Sequence, residues 1–368
     1  MDSARLMYAG GFSDADLFYA TRLPIDDPFI WWEWQGETHI ILSPLEIDRA
    51  RPLAQVNHLH AMEEYLSADA PMRSPEAFVE AIARVHNIPG FLVPEPFPSG
   101  LLQKMRKRGL NVEVAEKEFF PQRRIKTPQE ISALSAALRI AERGLRTGID
   151  ILRATQITEG GLLTWNGSVL TSERLRAEME CEVLRAGGLP AHTIVAGGDQ
   201  GCDPHERGHG PLRAHEAIVL DIFPRDTTSL MFGDLTRTVV RGVASEALRK
   251  QYQAVQAGKA WVISQMKAGV DGGALQRELL GRFREQGFLT EKKNGRWQGM
   301  FHGVGHGLGL ELHEAPRFAA GALFAGFAVT VEPGLYYPGV GGVRLEDVVV
   351  VQDNGVMNLT QFEEELEL

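Results

Sequence analysis

The stretch FHGVGHGLGLELHEAP, residues 301–316, decides how this chain is read. It carries His302, His306 and His313, with Glu314 directly after the last, and glycine at 303, 305, 307 and 309. Imidazole is a common metal ligand and acid–base group. The step from His302 to His306 matches the spacing of a helical zinc site, but so many glycines disfavour a helix. The run is instead expected to form an extended, glycine-laced strand, GVGHGLGLELH. Its histidines then need partners from elsewhere in the chain.

With 368 residues the chain is long enough for two domains. Hydrophobic residues make up 44% and charged residues 23%, a balance for packed cores rather than disorder. The net charge of −10 argues against nucleic acid or an anionic membrane as partner, since both are met by basic patches. Cys181 and Cys202 form neither a disulfide framework nor a C-x-x-C clamp, which fits a reducing cytoplasm. The N-terminus has no apolar run of signal length. No segment reaches the roughly 20 apolar residues of a membrane span.

Up to about residue 125, short apolar runs alternate with helical ones: THIILSPLEIDRAR, AFVEAIARVH, FLVPEPFPSG and LLQKMRKRGLNVEVAE. This predicts a small α/β domain, 1–125. Thr127-Pro128-Gln129-Glu130 has the form of a capping box with proline at the first helical position, and opens a second domain, 126–368. Behind it Ile131, Leu134, Leu138, Ala141, Leu145 and Ile149 keep a helical period. A helix over 172–185 follows, then the strands HTIVAGG, AIVLDIF and DLTRTVVRG. The order then repeats: a helix capped by Ser245, a helix over about 271–286, and the strands GVGHGLGLELH, FAVTVEPGLYY and GVRLEDVVVVQ. Helix, helix, strands, twice over, predicts two related halves in one α+β domain.

Four strand-borne acids accompany His306. Asp221 ends AIVLDIF, Asp234 opens DLTRTVV, Glu332 precedes the turn at Pro333-Gly334, and Glu346 lies in VRLEDVVVV with Arg344 on the same face. Singly, each reads as a polar strand end. Gathered on one sheet, four carboxylates repel strongly, and two divalent cations would neutralise them. Oxygen-rich ligation with one imidazole favours a hard octahedral ion such as manganese over structural zinc, although cobalt, iron and zinc also occupy such sites.

HGVGHGLGLELHE, GDLTRTVV, TVEPGLYY and GGVRLEDVVVV, in one chain, closely resemble the pita-bread metallopeptidases, which include methionine aminopeptidase, aminopeptidase P and prolidase. The resemblance covers about residues 123–368. Residues 1–125 resemble, less specifically, the N-terminal domain of creatinase, prolidase and aminopeptidase P, which methionine aminopeptidases usually lack. The resemblance implies that Asp221, Asp234, His306, Glu332 and Glu346 hold two divalent ions that activate water against a scissile carbonyl. It implies that Glu332 moves the proton to the leaving nitrogen. His313 would contact substrate and oxyanion, His302 would help position substrate, and His205, in GCDPHERG, would sit on a loop over it. His302 reads equally well as a structural histidine. The loop IFPRDTTSLMFG between Asp221 and Asp234 is about two residues longer than usual for the family.

HEAPR, residues 313–317, resembles a prolidase segment in which the arginine binds the free carboxylate of a dipeptide; otherwise Arg317 is a surface arginine. Arg344 resembles a second family arginine, expected to order Glu346 and Asp234. The expected substrates are short proline-containing peptides cut at Xaa-Pro bonds, by an Xaa-Pro dipeptidase or by an aminopeptidase P. Metal-free relatives acting as amidinohydrolases or binding modules, or a scaffolding role, are the rival readings. A cytoplasmic homodimer is expected, with Trp31, Trp32 and Trp34 facing either a half-buried core or a partner.

Overall fold

In the computed structural model, which describes residues 3–67 and 73–368, Trp31 and Trp32 are adjacent and both fully buried. Neighbouring side chains on a strand point to opposite faces, so the strand Phe29–Trp34 is covered on both. Trp32 joins Phe78 and Ile82 of helix Pro75–His86. Trp31 joins Leu17 of helix Ala15–Thr21 with Phe119 and Phe120. The expected half-buried alternation, and with it the partner-facing reading of Trp31 and Trp32, is therefore corrected: each face meets its own core cluster. The six-stranded mixed sheet runs His58–Ala61, Glu37–Leu42, Phe29–Trp34, Ala4–Ala9, Phe91–Val93, Val112–Val114. It forms a compact unit, Met1–Arg123, distinct from Arg124–Leu368.

The first unit also buries a stack of imidazoles. His39 is 7% exposed, with its ring 4.7 Å from Trp32 and 4.5 Å from His58. Its Nδ1 lies 3.2 Å from Nε2 of His60. Glu64 and Glu37 hold the outer rings of His60 and His58, and Tyr65 meets His86. Burial, followed by the charges of His58, His60 and His86, lowers the His39 pKa to about 4, and burial lowers that of His86. An unfolded histidine titrates near about 6.5. The neutral ring thus contributes stability that is fully present above that pH and is lost as pH falls toward the folded value. Melting of the first unit is expected to drop by several degrees between about pH 7 and about pH 5. His39→Gln should flatten that slope in calorimetry at stepped pH.

In the second unit the capping box forms as the sequence predicts. Thr127 Oγ1 accepts from Glu130 N at 3.2 Å, and Glu130 Oε2 accepts from Thr127 N at 3.0 Å. Helices Pro128–Arg153 and Ser172–Arg185 cover one core, with Leu145, Ile149, Leu175 and Met179 inside. Helices Glu246–Gln265 and Gly272–Glu285 cover the other, with Leu248, Val255, Leu279 and Phe283 inside. Among the described residues no helix is long and apolar enough to cross a membrane.

The strands that follow each pair of helices carry or flank the acids. An antiparallel sheet orders Ile194–Gly197, Ala217–Ile222 and Leu235–Val240. A five-stranded sheet orders Glu314–Arg317, His306–Gly307, Ala328–Val331, Asp347–Gln352 and Gly355–Asn358. Two expectations are corrected here. GVGHGLGLELH is mostly loop, with only the irregular two-residue strand His306–Gly307. GVRLEDVVVVQ breaks at Leu345–Glu346 into strands of different sheets, Gly341–Arg344 and Asp347–Gln352. The break has a cause: the Glu346 N–H donates to Thr236 O at 3.1 Å. Next to it Thr238 Oγ1 donates to Arg344 O and accepts from Arg344 N, both at 3.0 Å. These bonds stitch the two halves together where their acids lie.

Candidate metal centre

Asp234, His306 and Glu346 each bring one potential ligand atom to within 4.8 Å of the other two. Each sits where regular pairing begins or fails: Asp234 just before Leu235–Val240, Glu346 in the break, and His306 at the irregular strand. His306 Nδ1 lies 3.1 Å from Gly307 O, and its Nε2 is turned to the acids. Nε2 is 3.7 Å from Asp234 Oδ2 and 3.3 Å from Glu332 Oε1. Thr330 Oγ1 accepts from His306 N at 3.0 Å and donates to Glu332 Oε1 at 3.1 Å. Thr236 Oγ1 donates to Glu346 Oε2 at 2.8 Å.

Asp221 stands on the adjoining strand, opposite Thr236. Its Oδ2 accepts from the Arg344 guanidinium at 2.7 Å. Its Oδ1 is buried and has no hydrogen-bond partner among the described residues. Arg344 was expected to order Glu346 and Asp234. It instead reaches Asp221, Tyr336 Oη at 3.1 Å and Thr236 Oγ1 at 3.4 Å. The reason is register: Arg344 lies before the break, on the strand facing Thr238, whereas Glu346 has already turned toward Thr236.

Charge crowding is evident in the acid–base balance. Burial first, then Glu346, Asp221 and Glu332, pushes the Asp234 pKa well above its usual value. Burial, then Glu332 and Asp221, pushes Glu346 up to about 8. Burial lowers the pKa of His306, but its hydrogen bond to Glu332 and the surrounding carboxylates outweigh burial, and the net shift is upward. Burial raises Glu332, but the same hydrogen bond and the charge of His306 carry it below the ordinary value.

The outer residues divide into two groups. His302 is committed within the protein, with Nδ1 2.8 Å from Gly303 O and Nε2 2.8 Å from Tyr336 Oη. This makes a continuous chain from His302 through Tyr336 and Arg344 to Asp221. Tyr336 was missed in the sequence; its signal is its place two residues past Gly334, in a strand paired with Gly341–Arg344. His205, His313 and Arg317 are exposed. The His313 ring meets His306 edge-on, 4.3 Å between centroids, and feels the charges of His205 and Arg317. His205 follows Pro204, whose carbonyl lies 3.4 Å from Arg344. Arg317 pairs across from His306 in the backbone register.

At three glycines of the opening stretch, Gly305, Gly307 and Gly309, the protein itself fills the space a Cβ would need. A Cβ on Gly305 would strike Thr330 O, and one on Gly309 would strike the Glu314 carboxylate. The long loop 222–233 closes on itself. Asp226 N donates to Met231 O at 2.8 Å and Gly233 N to Pro224 O at 2.9 Å, which returns Asp234 to the cluster. Phe232 N donates to Gly309 O at 2.8 Å, so this loop borders the histidine segment.

The donor set fits divalent cations. It offers buried carboxylates with raised pKa values, an imidazole whose Nε2 faces them, and an Asp221 oxygen with no hydrogen-bond partner among the described residues. Asp221, Asp234, His306, Glu332 and Glu346 are the residues that would hold them.

A model of Metallopeptidase family M24 matches residues 132–353. Curated relatives include an Xaa-Pro dipeptidase of Pyrococcus furiosus, 31% identical over 252 residues, which span 66% of this chain and 64% of that protein. An Xaa-Pro dipeptidase of Pyrococcus horikoshii is 27% identical over 309 residues, 81% of either chain. Among solved structures, an Xaa-Pro dipeptidase from Bacillus anthracis matches 100% of this chain and 95% of its own, with TM-score 0.84 and 21% identity. An X-Pro aminopeptidase from Thermotoga maritima matches 100% and 97%, with TM-score 0.83 and 21% identity. At that identity the structures establish the fold, the mixed α/β pita-bread architecture expected from the sequence.

Proposed function

The chain belongs to metallopeptidase family M24, and from that premise we propose that it is a dinuclear-metal peptidase cutting Xaa-Pro bonds, with dipeptides as its preferred substrates. The observation that carries the reading is the convergence of Asp234, His306 and Glu346, flanked by Asp221 and Glu332. Two divalent ions, with manganese the best match to this donor set, supply Lewis-acid activation of water and of a carbonyl at neutral pH when bound. The rest is the work of the chain. Glu332, joined to His306 and Thr330, is placed to take a proton and pass it to the leaving nitrogen. His313 and His205, exposed at the rim, offer donors to the substrate carbonyl. Arg344, held by Tyr336, fixes Asp221. The presence of all five candidate ligands argues against a metal-free amidinohydrolase or binding module.

Dipeptide preference rests on Arg317, exposed near His313 and able to pair with a free C-terminal carboxylate. The names of the Pyrococcus relatives support it. Residues 1–125, as a creatinase-like domain before the catalytic domain 126–368, together with a homodimeric state and a cytoplasmic location, belong to the same reading.

The test is turnover of a manganese-loaded preparation on an Xaa-Pro dipeptide and on the same peptide extended at its C-terminus. The dipeptide is expected to be preferred. Arg317→Ala should then cost about tenfold or more in kcat/KM, mainly through KM, as one charge-assisted pair is worth about 1.5–3 kcal/mol. Preference for the longer peptide, with Arg317→Ala neutral, would assign an X-Pro aminopeptidase of the Thermotoga kind.

A further inference from the structure

Lys126 and Glu314 form an ion pair far from water: their side chains are 3% and 5% exposed. Neither takes part in the chemistry described above, yet Glu314 directly follows His313. Its carboxylate is the plug of the histidine loop. It fills the space beside Gly309 that a side chain there would need, and its Oε2 accepts from Glu311 N at 3.3 Å. Lys126 is fixed in turn. Its N–H donates to Gly326 O at 2.8 Å, Ile125 bridges Phe327, and the cap of helix Pro128–Arg153 begins at the next residue.

A buried ion pair is a poor way to add stability, because desolvation offsets most of the attraction and apolar residues of similar volume often do as well. What such a pair supplies is a direction. Its best-attested use is to fix register, and here the register concerns the loop that presents His313 to His306, ring against ring at 4.3 Å.

We propose that Lys126 is a positioning residue: through its buried pair with Glu314 it sets the 308–313 loop, and so places His313 against the metal centre to meet substrate. This rests on the peptidase reading for its functional half only. Its structural half stands on the geometry.

The experiment compares Lys126→Met and Lys126→Arg in the full-length chain, by hydrogen exchange and by kinetics on an Xaa-Pro dipeptide, each also in a His313→Ala background. Lys126→Met should speed exchange of the 308–314 amides by about tenfold or more while leaving helix 172–185 unchanged. It should lower kcat/KM by about tenfold or more, chiefly through kcat, with Lys126→Arg restoring most of it. In the His313→Ala background the same change should cost less than about twofold, since residues acting through one another are not additive. Unchanged exchange in the loop would overturn the proposal. So would a full additional loss without His313, or a uniform rise in exchange with kcat intact, which marks a structural residue alone. If the unaltered chain cuts no proline peptide, the peptidase reading fails, and loop exchange still decides what Lys126 does.

Discussion

Asp234→Asn is expected to abolish hydrolysis, lowering kcat by about 10³-fold or more, while the fold stays intact. A thousandfold corresponds to about 4 kcal/mol of lost transition-state stabilisation, in keeping with removing one carboxylate from the proposed metal site. The argument for an intact fold is electrostatic. Burial and the charges of Glu346, Asp221 and Glu332 already push the Asp234 pKa well above its ordinary value, so its ionised form is held against repulsion. The amide removes that repulsion, so metal-free Asp234→Asn should melt no lower than the unaltered metal-free chain. What it should lose is the rise in melting temperature on adding manganese, because a ligand stabilises only the state that binds it. Retained turnover would sink the role of Asp234. A scaffold protein would show no change in any of these measurements.

The second large effect concerns Arg344. Its guanidinium is 4% exposed and pairs with Asp221 at 2.7 Å. Burial alone would lower its pKa, but Tyr336, Asp221 and Glu332 keep its charge firmly in place. Arg344→Met leaves the Asp221 carboxylate buried with neither oxygen paired, since Oδ1 has no partner among the described residues to begin with. Breaking one side of a buried pair costs about 3–5 kcal/mol. In a unit of this size that is a fall of about 10 °C in melting temperature. The measurement belongs on chelator-treated protein, where no cation compensates Asp221. Hydrolysis should also fall, as Tyr336 and His302 lose their anchor. A melting change of less than about one degree would mean that solvent reaches the pair.

The candidate ligands were legible because chemistry restricts their types and local pattern restricts their places. An aspartate ending an apolar strand, a glutamate before Pro333-Gly334 and a histidine among glycines are each odd alone, and together imply a cation. Helix starts were legible for the same local reason, as at Thr127 and Ser245, whose side chains accept the expected bonds. What escaped the sequence depends on distant strands. The break at Leu345–Glu346 exists because Thr236, far back in the chain, takes the Glu346 N–H. The true partner of Arg344 follows from that same break. Trp31 and Trp32 read as one strand with one buried face, since nothing local reveals that cores lie on both sides.

The central claim is that Asp221, Asp234, His306, Glu332 and Glu346 form one centre for two divalent cations. The most direct measurement is calorimetric titration of manganese into chelator-treated protein, with Asp234→Asn alongside. Two ions bound per unaltered chain, with the stoichiometry broken in Asp234→Asn, is the predicted result. Two ions bound equally by both proteins, or none by either, would contradict it.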